Sequence, residues 1–335
     1  MSLAVQDALR SRFEAHLALH GLSPEQVLEQ VDDVFGDPLL VVATGSVLAG
    51  HGNEHSDLDL YVVVPDEVAS MLPLMSYPKG ARIDVLLHGA GSVTERHAQL
   101  AAGWPGPEVS PASFHRRRKS VDSLSRFGTG LVLASDGGTW AGWQRSVRAD
   151  VDGWVAGWWA AEAVRKRLAA RVLLAAGRSR LAALKAGEAL IAALDRRAAL
   201  AGESYFRWKW LGEKLRRLGD AQGLEWFRLA LCPPVDPAAA HAYAARLDGL
   251  VGELLADLDT TGWQAHLEPA PGTTRHPFGG ETLVTRWAMR TVAVDADSPA
   301  GTEPHWAYGL GEPWHPDVAG LFAEDLLWLG LRRPA

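Results

Sequence analysis

Along the first part of the chain, apolar residues gather into short dense blocks separated by polar, glycine-bearing turns. Residues 39–43 (LLVVA), 58–64 (LDLYVVV), 81–87 (ARIDVLL) and 130–134 (GLVLA) are such blocks. They are short and rich in β-branched side chains. Thr44-Gly45-Ser46, Pro65-Asp66 and Ser135-Asp136-Gly137 close three of them, so each reads as a buried strand. A helix is expected near 66–75. Ahead of the first strand, Val5, Leu9, Phe13 and Leu17 recur four apart, as on one face of a helix. Ser23, Pro24, Glu25 and Gln26 then supply an N-cap, a proline at the first helical position and an acidic, amide-bearing first turn. Gly36-Asp37-Pro38 ends that second helix.

The pattern changes near Asp150. Residues 154–200 are rich in Ala, Leu, Arg and Trp and contain no proline, which predicts long helices; 205–218 and 237–258 read as further helices. The prolines and glycines of 262–280 suggest a connecting segment. Residues 282–294 fit a strand or a helix, and 318–331 a helix. The expected organisation is two N-terminal helices (1–36) packing on an α/β (α+β) domain with a small mixed sheet (37–148). An all-helical domain (149–262) and a C-terminal extension of open role (263–335) follow. No internal repeat is visible.

Bulk properties narrow the class. At 335 residues the chain exceeds one comfortable hydrophobic core. The net charge of −7 argues against general nucleic-acid affinity, so nucleic acid is an unlikely partner class. A single cysteine, Cys232, cannot form an internal disulfide, which suits a reducing compartment. The first residues mix charges among apolar side chains, unlike a signal peptide, and no apolar run is long enough to span a membrane. A cytoplasmic protein without a membrane partner is expected; the oligomeric state stays open.

The chemistry concentrates in residues 45–60, where a strand runs into Gly45-Ser46 and the next opens with Ser56-Asp57-Leu58-Asp59. Side chains alternate along a strand, so Asp57 and Asp59 share a face, about 6–7 Å apart. Two like charges so placed repel unless a cation compensates them. Oxygen ligands of this type suit Mg²⁺. Asp84, inside the apolar run 81–87, is a candidate third ligand for a two-metal site. Arg82, two residues away on the same face, is an alternative partner for it. Gly45 lacks the Cβ that would keep a phosphate from backbone amides, and Ser46 adds a hydroxyl donor.

This constellation resembles the DNA polymerase β-like nucleotidyltransferase superfamily, whose signature is an apolar strand, Gly-Ser or Gly-Gly, a loop, Asp-x-Asp, and a third Asp one strand later. The form here is most similar to the small-molecule branch that includes aminoglycoside nucleotidyltransferases. The resemblance covers residues 39–87 of the 335. Ser135-Asp136-Gly137 and an all-helical second domain are also similar to that branch. The resemblance implies transfer of a nucleoside monophosphate, AMP by default, from a nucleoside triphosphate to a hydroxyl of a small-molecule acceptor. Asp57, Asp59 and Asp84 would be catalytic and would hold two Mg²⁺ ions. Gly45, Ser46, Ser56 and Lys209 would bind the nucleotide, in a cleft between the domains. A protein-modifying, AMP-adding enzyme and a catalytically silent nucleotide-binding regulator are the competing readings.

Weaker signals stand beside bland alternatives. His51 and His55 have the spacing of a zinc helix, yet the glycines around them favour solvated loop histidines. Lys209 and Lys214 lie in an aromatic, basic stretch; reaching a triphosphate competes with a solvated face in which Glu213 pairs with Lys209. The run His115-Arg116-Arg117-Arg118-Lys119 reads first as a solvated helix face. Gly89-Ala90-Gly91-Ser92 is a loop. Asp84, Glu162 and Glu108 are candidate general bases. Trp154, Trp158 and Trp159 are expected in a core more than over a ligand.

Overall fold

The computed structural model describes residues 3–69, 75–76, 80–287 and 290–334, which fall into two compact units. The first comprises Met1–Ala102, Lys119–Val155 and Gly202–Glu213; the second comprises Gly103–Arg118, Ala156–Ala201 and Lys214–Ala335.

The chain opens with α1 (Leu3–Leu19) and α2 (Pro24–Phe35). The expected cap is present: Gln26 N–H donates to Ser23 Oγ at 3.3 Å and Ser23 N–H to Gln26 Oε1 at 3.1 Å. Then come β1 (Leu40–Thr44), the single turn α3 (Gly45–Leu48), β2 (Leu58–Val64), β3 (Met75–Ser76), β4 (Ile83–Gly89), α4 (Ala90–Ala101), α5 (Pro111–Thr129) and β5 (Leu131–Ser135). The strands form one mixed sheet in the order β3-β4-β2-β1-β5. Only β2 and β4 run parallel; the other pairs are antiparallel. Of the helix expected near 66–75, residues 66–69 form a turn and Met75–Ser76 a strand; the rest lies outside the described residues.

The sheet is covered on both faces, and that explains why its central strands are apolar throughout rather than alternating. Val41, Ala43, Leu58, Leu60 and Val62 pack with Leu9, Phe13, Val27 and Val31 of the N-terminal helices. The opposite face buries Val42, Tyr61 and Val63, with Tyr61 edge-on to Phe127 of α5 at 5.5 Å. Under that face lies a polar string. Tyr61 and Ser123 hydroxyls are 2.9 Å apart, and Arg96 Nη1 donates to Ser123 Oγ at 2.7 Å while lying 3.2 Å from His88 Nδ1. Burial, reinforced by Arg96 and Arg126, pushes the His88 pKa down to about 3; burial pushes Tyr61 up to about 12.

The helical stretch consists of α6 (Thr139–Ala175), α7 (Ser179–Leu200), a 3₁₀ turn at Trp208–Trp210, α8 (Leu211–Arg217), α9 (Ala221–Ala230) and α10 (Pro237–Leu254). Small residues allow α7 close approach: a Cβ on Gly187 would stand 2.7 Å from the Ala230 carbonyl oxygen. Arg167 and Arg171 of α6 both grip Asp248 of α10, with donor distances of 2.7–2.9 Å. The helix expected from 205 starts later, because Tyr205 and Phe206 lie in the preceding loop.

The C-terminal segment departs most from expectation. The stretch 262–280 contains β6 (Gln264–Pro269) and β7 (Thr273–Phe278), and 282–294 is spanned by β8 (Glu281–Arg286) and β9 (Arg290–Asp295). After α11 (Pro299–Thr302), β10 (Trp306–Gly309) and α12 (Pro316–Ala323), the helix expected to reach 331 stops, and β11 (Leu327–Arg332) follows. Asp325 takes φ 61° at the break, and Leu327, Leu329 and Leu331 then alternate as a strand requires. These strands make two antiparallel three-stranded sheets, β10-β6-β11 and β7-β8-β9. Among the described residues, no helix is long and apolar enough to cross a membrane.

Candidate functional site

The sheet register gathers the signature residues. Thr44, the last residue of β1, is opposite Asp59 in β2, and Asp59 is opposite Asp84 in β4. Neighbouring strands lie about 4.8 Å apart, so Asp59 and Asp84 occupy one transverse row of the sheet. Asp57 enters from the residue before β2 begins.

Gly45 is the tightest constraint. It takes φ +87°, and a Cβ built there would fall 1.9 Å from Asp59 Oδ2. Any side chain would collide with the carboxylate and strain the backbone. Beyond Gly45 the chain makes one helical turn. The Ser46 carbonyl then accepts from both His51 and Gly52 N–H at 2.8 Å, which folds the loop back. Asn53 and Ser56 close it: Asn53 N–H donates to Ser56 Oγ at 2.9 Å, and Ser56 Oγ donates to Asn53 Oδ1 at 3.2 Å. Ser56, expected at the nucleotide, has its hydroxyl engaged within the loop.

Two guanidinium groups balance the three carboxylates. Arg82 donates from Nε and Nη2 to the two oxygens of Asp84 at 2.9 and 3.1 Å, and its Nη1 lies 3.4 Å from Asp57 Oδ2. Arg126 of α5 lies 3.3 Å from Asp59 Oδ2. Behind it, Arg207 holds Asp122 with both terminal nitrogens at 2.5 and 3.0 Å, and Asp122 stands 3.5 Å from Arg126 Nε. The chain of charges therefore runs Arg207–Asp122–Arg126–Asp59. Burial raises the Asp59 pKa; Arg126 opposes this, and Asp84 and Asp57 add to it. Burial works against the charge of Arg126, yet Asp59 and Asp122 outweigh it, so its pKa is raised.

These pairings pull the carboxylates in two directions, Asp57 and Asp84 toward Arg82 and Asp59 toward Arg126. Among the described residues, the set of three His, Cys, Asp or Glu side chains with ligand atoms all within 4.8 Å of one another is His266, Glu268 and His305, not the three aspartates. Asp59 and Asp84 share a backbone row and Asp57 stands two residues before Asp59, without the three converging on a point. Their donor chemistry still fits a hard divalent cation: three carboxylates, each less than two-fifths exposed. A cation there would take over the charge that Arg82 and Arg126 now balance.

The loop histidines differ from expectation and from each other. His55 is exposed, as expected, beside Glu54 at 3.5 Å. His51 is buried instead of solvated, its ring stacked on Trp210 at 5.3 Å and Tyr205 at 5.5 Å, with Glu203 at 4.0 Å. The aromatic stretch thus clamps the loop that follows Gly45, a role for Tyr205 and Trp210 that hydrophobic periodicity does not announce.

Lys209 is exposed, its Nζ 5.2 Å from the centre of the Trp210 ring. Lys214 is fully buried in the second unit, 2.6 Å from Asp195. The basic run of 115–119 is largely a solvated face, except that Arg117 lies over Trp104 at 5.5 Å and burial lowers its pKa to about 10. Gly89-Ala90-Gly91-Ser92 is no loop: Gly89 ends β4 and Ala90 begins α4, whose Gly91 N–H donates to the Asp66 carboxylate at 3.0 Å. Of the candidate bases, Glu162 accepts from Arg165 on both oxygens at 2.6 and 3.0 Å, and Glu108 is exposed. Trp158 packs in an aromatic core with Phe114 at 4.7 Å, and Trp154 is edge-on to His97 at 5.5 Å.

Arg126, Asp122 and Arg207 were not legible as site residues. Each stands far from the motif along the chain, and only the packing of α5 and of residues 202–213 brings them to Asp59.

The chain matches no protein-family model and no curated protein. Among solved structures it is similar to a nucleotidyltransferase-like protein from Exiguobacterium sibiricum 255-15. The identity is 14%, the match covers 70% of this chain and 79% of that one, and the TM-score is 0.39.

Proposed function

We propose that this protein is a nucleotidyltransferase that moves a nucleoside monophosphate, AMP by preference, from a nucleoside triphosphate to a hydroxyl of a small molecule. The observation that carries the reading is the Asp59 carboxylate lying against a glycine that has no room for a Cβ, in register beside Asp84 and two residues after Asp57. Gly45 lets the Asp59 carboxylate pack where a Cβ would otherwise sit, and three acids held this close repel one another unless a cation compensates them.

On this reading Asp57, Asp59 and Asp84 would hold Mg²⁺, which when bound neutralises phosphate charge and polarises the reacting oxygens. Gly45 and Ser46 present backbone and hydroxyl donors to the far end of the triphosphate. Lys209, exposed beside Trp210, is the cation assigned to that end. The acceptor oxygen attacks the α-phosphorus in line, the bond from α-phosphorus to the bridging oxygen breaks, and pyrophosphate leaves with that electron pair. The acceptor proton passes to the Asp84 carboxylate. Before substrate arrives, Arg82 and Arg126 offset the charge of the three acids and keep their mutual repulsion low.

The test is incubation of the purified protein with α-labelled ATP and Mg²⁺ across panels of hydroxylated small molecules and of proteins. The reading expects label on a small product, one pyrophosphate per transfer, and loss of about three orders of magnitude in rate in Asp59→Asn. Label on protein would favour protein modification. ATP binding without pyrophosphate release under every condition would favour a silent regulator.

A further inference from the structure

The second unit carries a group of side chains that the proposed transfer does not use. His266 and Glu268 are two apart on β6 and therefore share a face of the sheet. In the antiparallel pairing of β10 with β6, Trp306 is opposite Leu267 and Ala307 opposite His266. Continuing that register by one residue puts His305 opposite Glu268, on the same face. One ligand atom from each of the three lies within 4.8 Å of the others.

We propose that His266, Glu268 and His305 form a binding site for a divalent transition-metal ion of the zinc class. Two imidazole nitrogens, borderline donors, joined by one carboxylate favour such an ion over Mg²⁺ or Ca²⁺. Distances agree as well. Bonds of about 2.0–2.1 Å around a tetrahedral ion set neighbouring ligand atoms about 3.3 Å apart. His266 Nε2 lies 3.2 Å from Glu268 Oε2. The His305 ring stacks on that of His266 at 5.6 Å between centroids, and His305 is exposed, so a rotation of its side chain closes the remaining gap. Three protein ligands leave the fourth position to water or to a further group.

His266 sets which nitrogen faces the carboxylate. It is 8% exposed, and its Nδ1 is buried with no hydrogen-bond partner. With the proton on Nδ1, the Nε2 lone pair faces a carboxylate oxygen, an arrangement that a cation between them makes favourable. With the proton on Nε2, Nδ1 is a buried lone pair with no donor. A cation between Nε2 and Glu268 Oε2 favours the first tautomer; Nδ1 stays buried and unpartnered in either. Arg332 is the nearby cation that opposes binding. It is directed to Gln264, to which its Nε donates at 3.2 Å.

The experiment is a Co²⁺ titration of the full-length, tag-free, chelator-stripped protein in excess Mg²⁺, on an Asp59→Asn background. The aspartate row is thereby silenced, and the outcome is independent of the proposed transfer. One equivalent of Co²⁺ giving visible absorption bands of low coordination number, displaced by Zn²⁺, is expected. His305→Ala, a change at an exposed position, should weaken binding by about 100-fold or more, and Glu268→Gln by at least about tenfold. Absence of those bands, or a Co²⁺ affinity in His305→Ala equal to that of its parent, overturns the proposal. His266→Gln, checked for folding by circular dichroism, should lose the bands while keeping its secondary structure; retained bands overturn it equally.

Discussion

Two sets of opposed charges in this chain are built in contrary ways. At the aspartate row, three carboxylates face two guanidinium groups, and each acid keeps some exposure: 37% for Asp57, 19% for Asp59 and 25% for Asp84. In the second unit, Lys214 of α8 and Asp195 of α7 are paired one to one at 2.6 Å, both with 0% side-chain exposure. The sealed pair has no access for a ligand, and burial raises the Asp195 pKa even against Lys214. The open row carries one more negative than positive charge, reachable from solvent. A sealed pair fixes a packing arrangement; an open, under-compensated row is poised to exchange its cations. Lys214, considered beside Lys209 for a triphosphate contact, belongs to the sealed kind.

That contrast is most easily broken at its sealed end. Asp195→Ala strands a buried ammonium and should lower stability by about 3–5 kcal/mol, read by urea denaturation. The double change Asp195→Leu with Lys214→Met should recover most of that loss. Equal destabilisation by the single and double variants would show that the pair's charges are not what matters.

Gly45→Ala is the matching break at the open end. With φ +87° and Asp59 Oδ2 at 1.9 Å from the new Cβ, we expect a loss of about 2–3 kcal/mol together with displacement of the carboxylate. A wild-type melting curve for this variant would mean that the loop relaxes freely and that the tight contact is not a constraint.

His88 tests the polar string under the sheet. Its folded pKa of about 3 lies below the ordinary value of 6.5, so its stabilising contribution is complete above about pH 6.5. The contribution is lost progressively as pH falls toward 3, because the unfolded chain takes up the proton first. His88→Gln retains an acceptor for Arg96 and should flatten the loss of stability between pH 6.5 and pH 4. An unchanged pH profile would assign acid lability to other groups.

The smallest effect is expected at Arg82, which is 44% exposed. Arg82→Ala should change stability by less than about 1 kcal/mol, as half-exposed ion pairs do. It should raise divalent-cation affinity severalfold by freeing Asp57 and Asp84. Weaker cation binding in this variant would make Arg82 an organiser of the site rather than a stand-in for the ion.

The first unit was largely legible because its strands are unbroken apolar runs with glycine and proline at their ends. The Ser23–Gln26 cap and the Asp57, Asp59, Asp84 row follow from local rules. What escaped depended on distant packing. No local signal brings Arg126 to Asp59, stacks His51 on Tyr205 and Trp210, or seals Lys214 with Asp195. The C-terminal strands escaped for another reason. Gln264, His266 and Glu268 alternate with Ala265 and Leu267, a period-two pattern that the surrounding prolines and glycines obscured. In 318–331, the early part has helical spacing and masks the alternation after Asp325.

The claim that the aspartate row receives a cation together with a nucleotide is tested most directly by Mn²⁺ binding. Electron paramagnetic resonance would follow it with a nonhydrolysable ATP analogue present, in the wild-type protein and in Asp59→Asn. The account predicts that nucleotide sharpens Mn²⁺ binding in the wild type and that Asp59→Asn weakens it by about 100-fold. Equal Mn²⁺ affinity in the two proteins, with or without nucleotide, would contradict it.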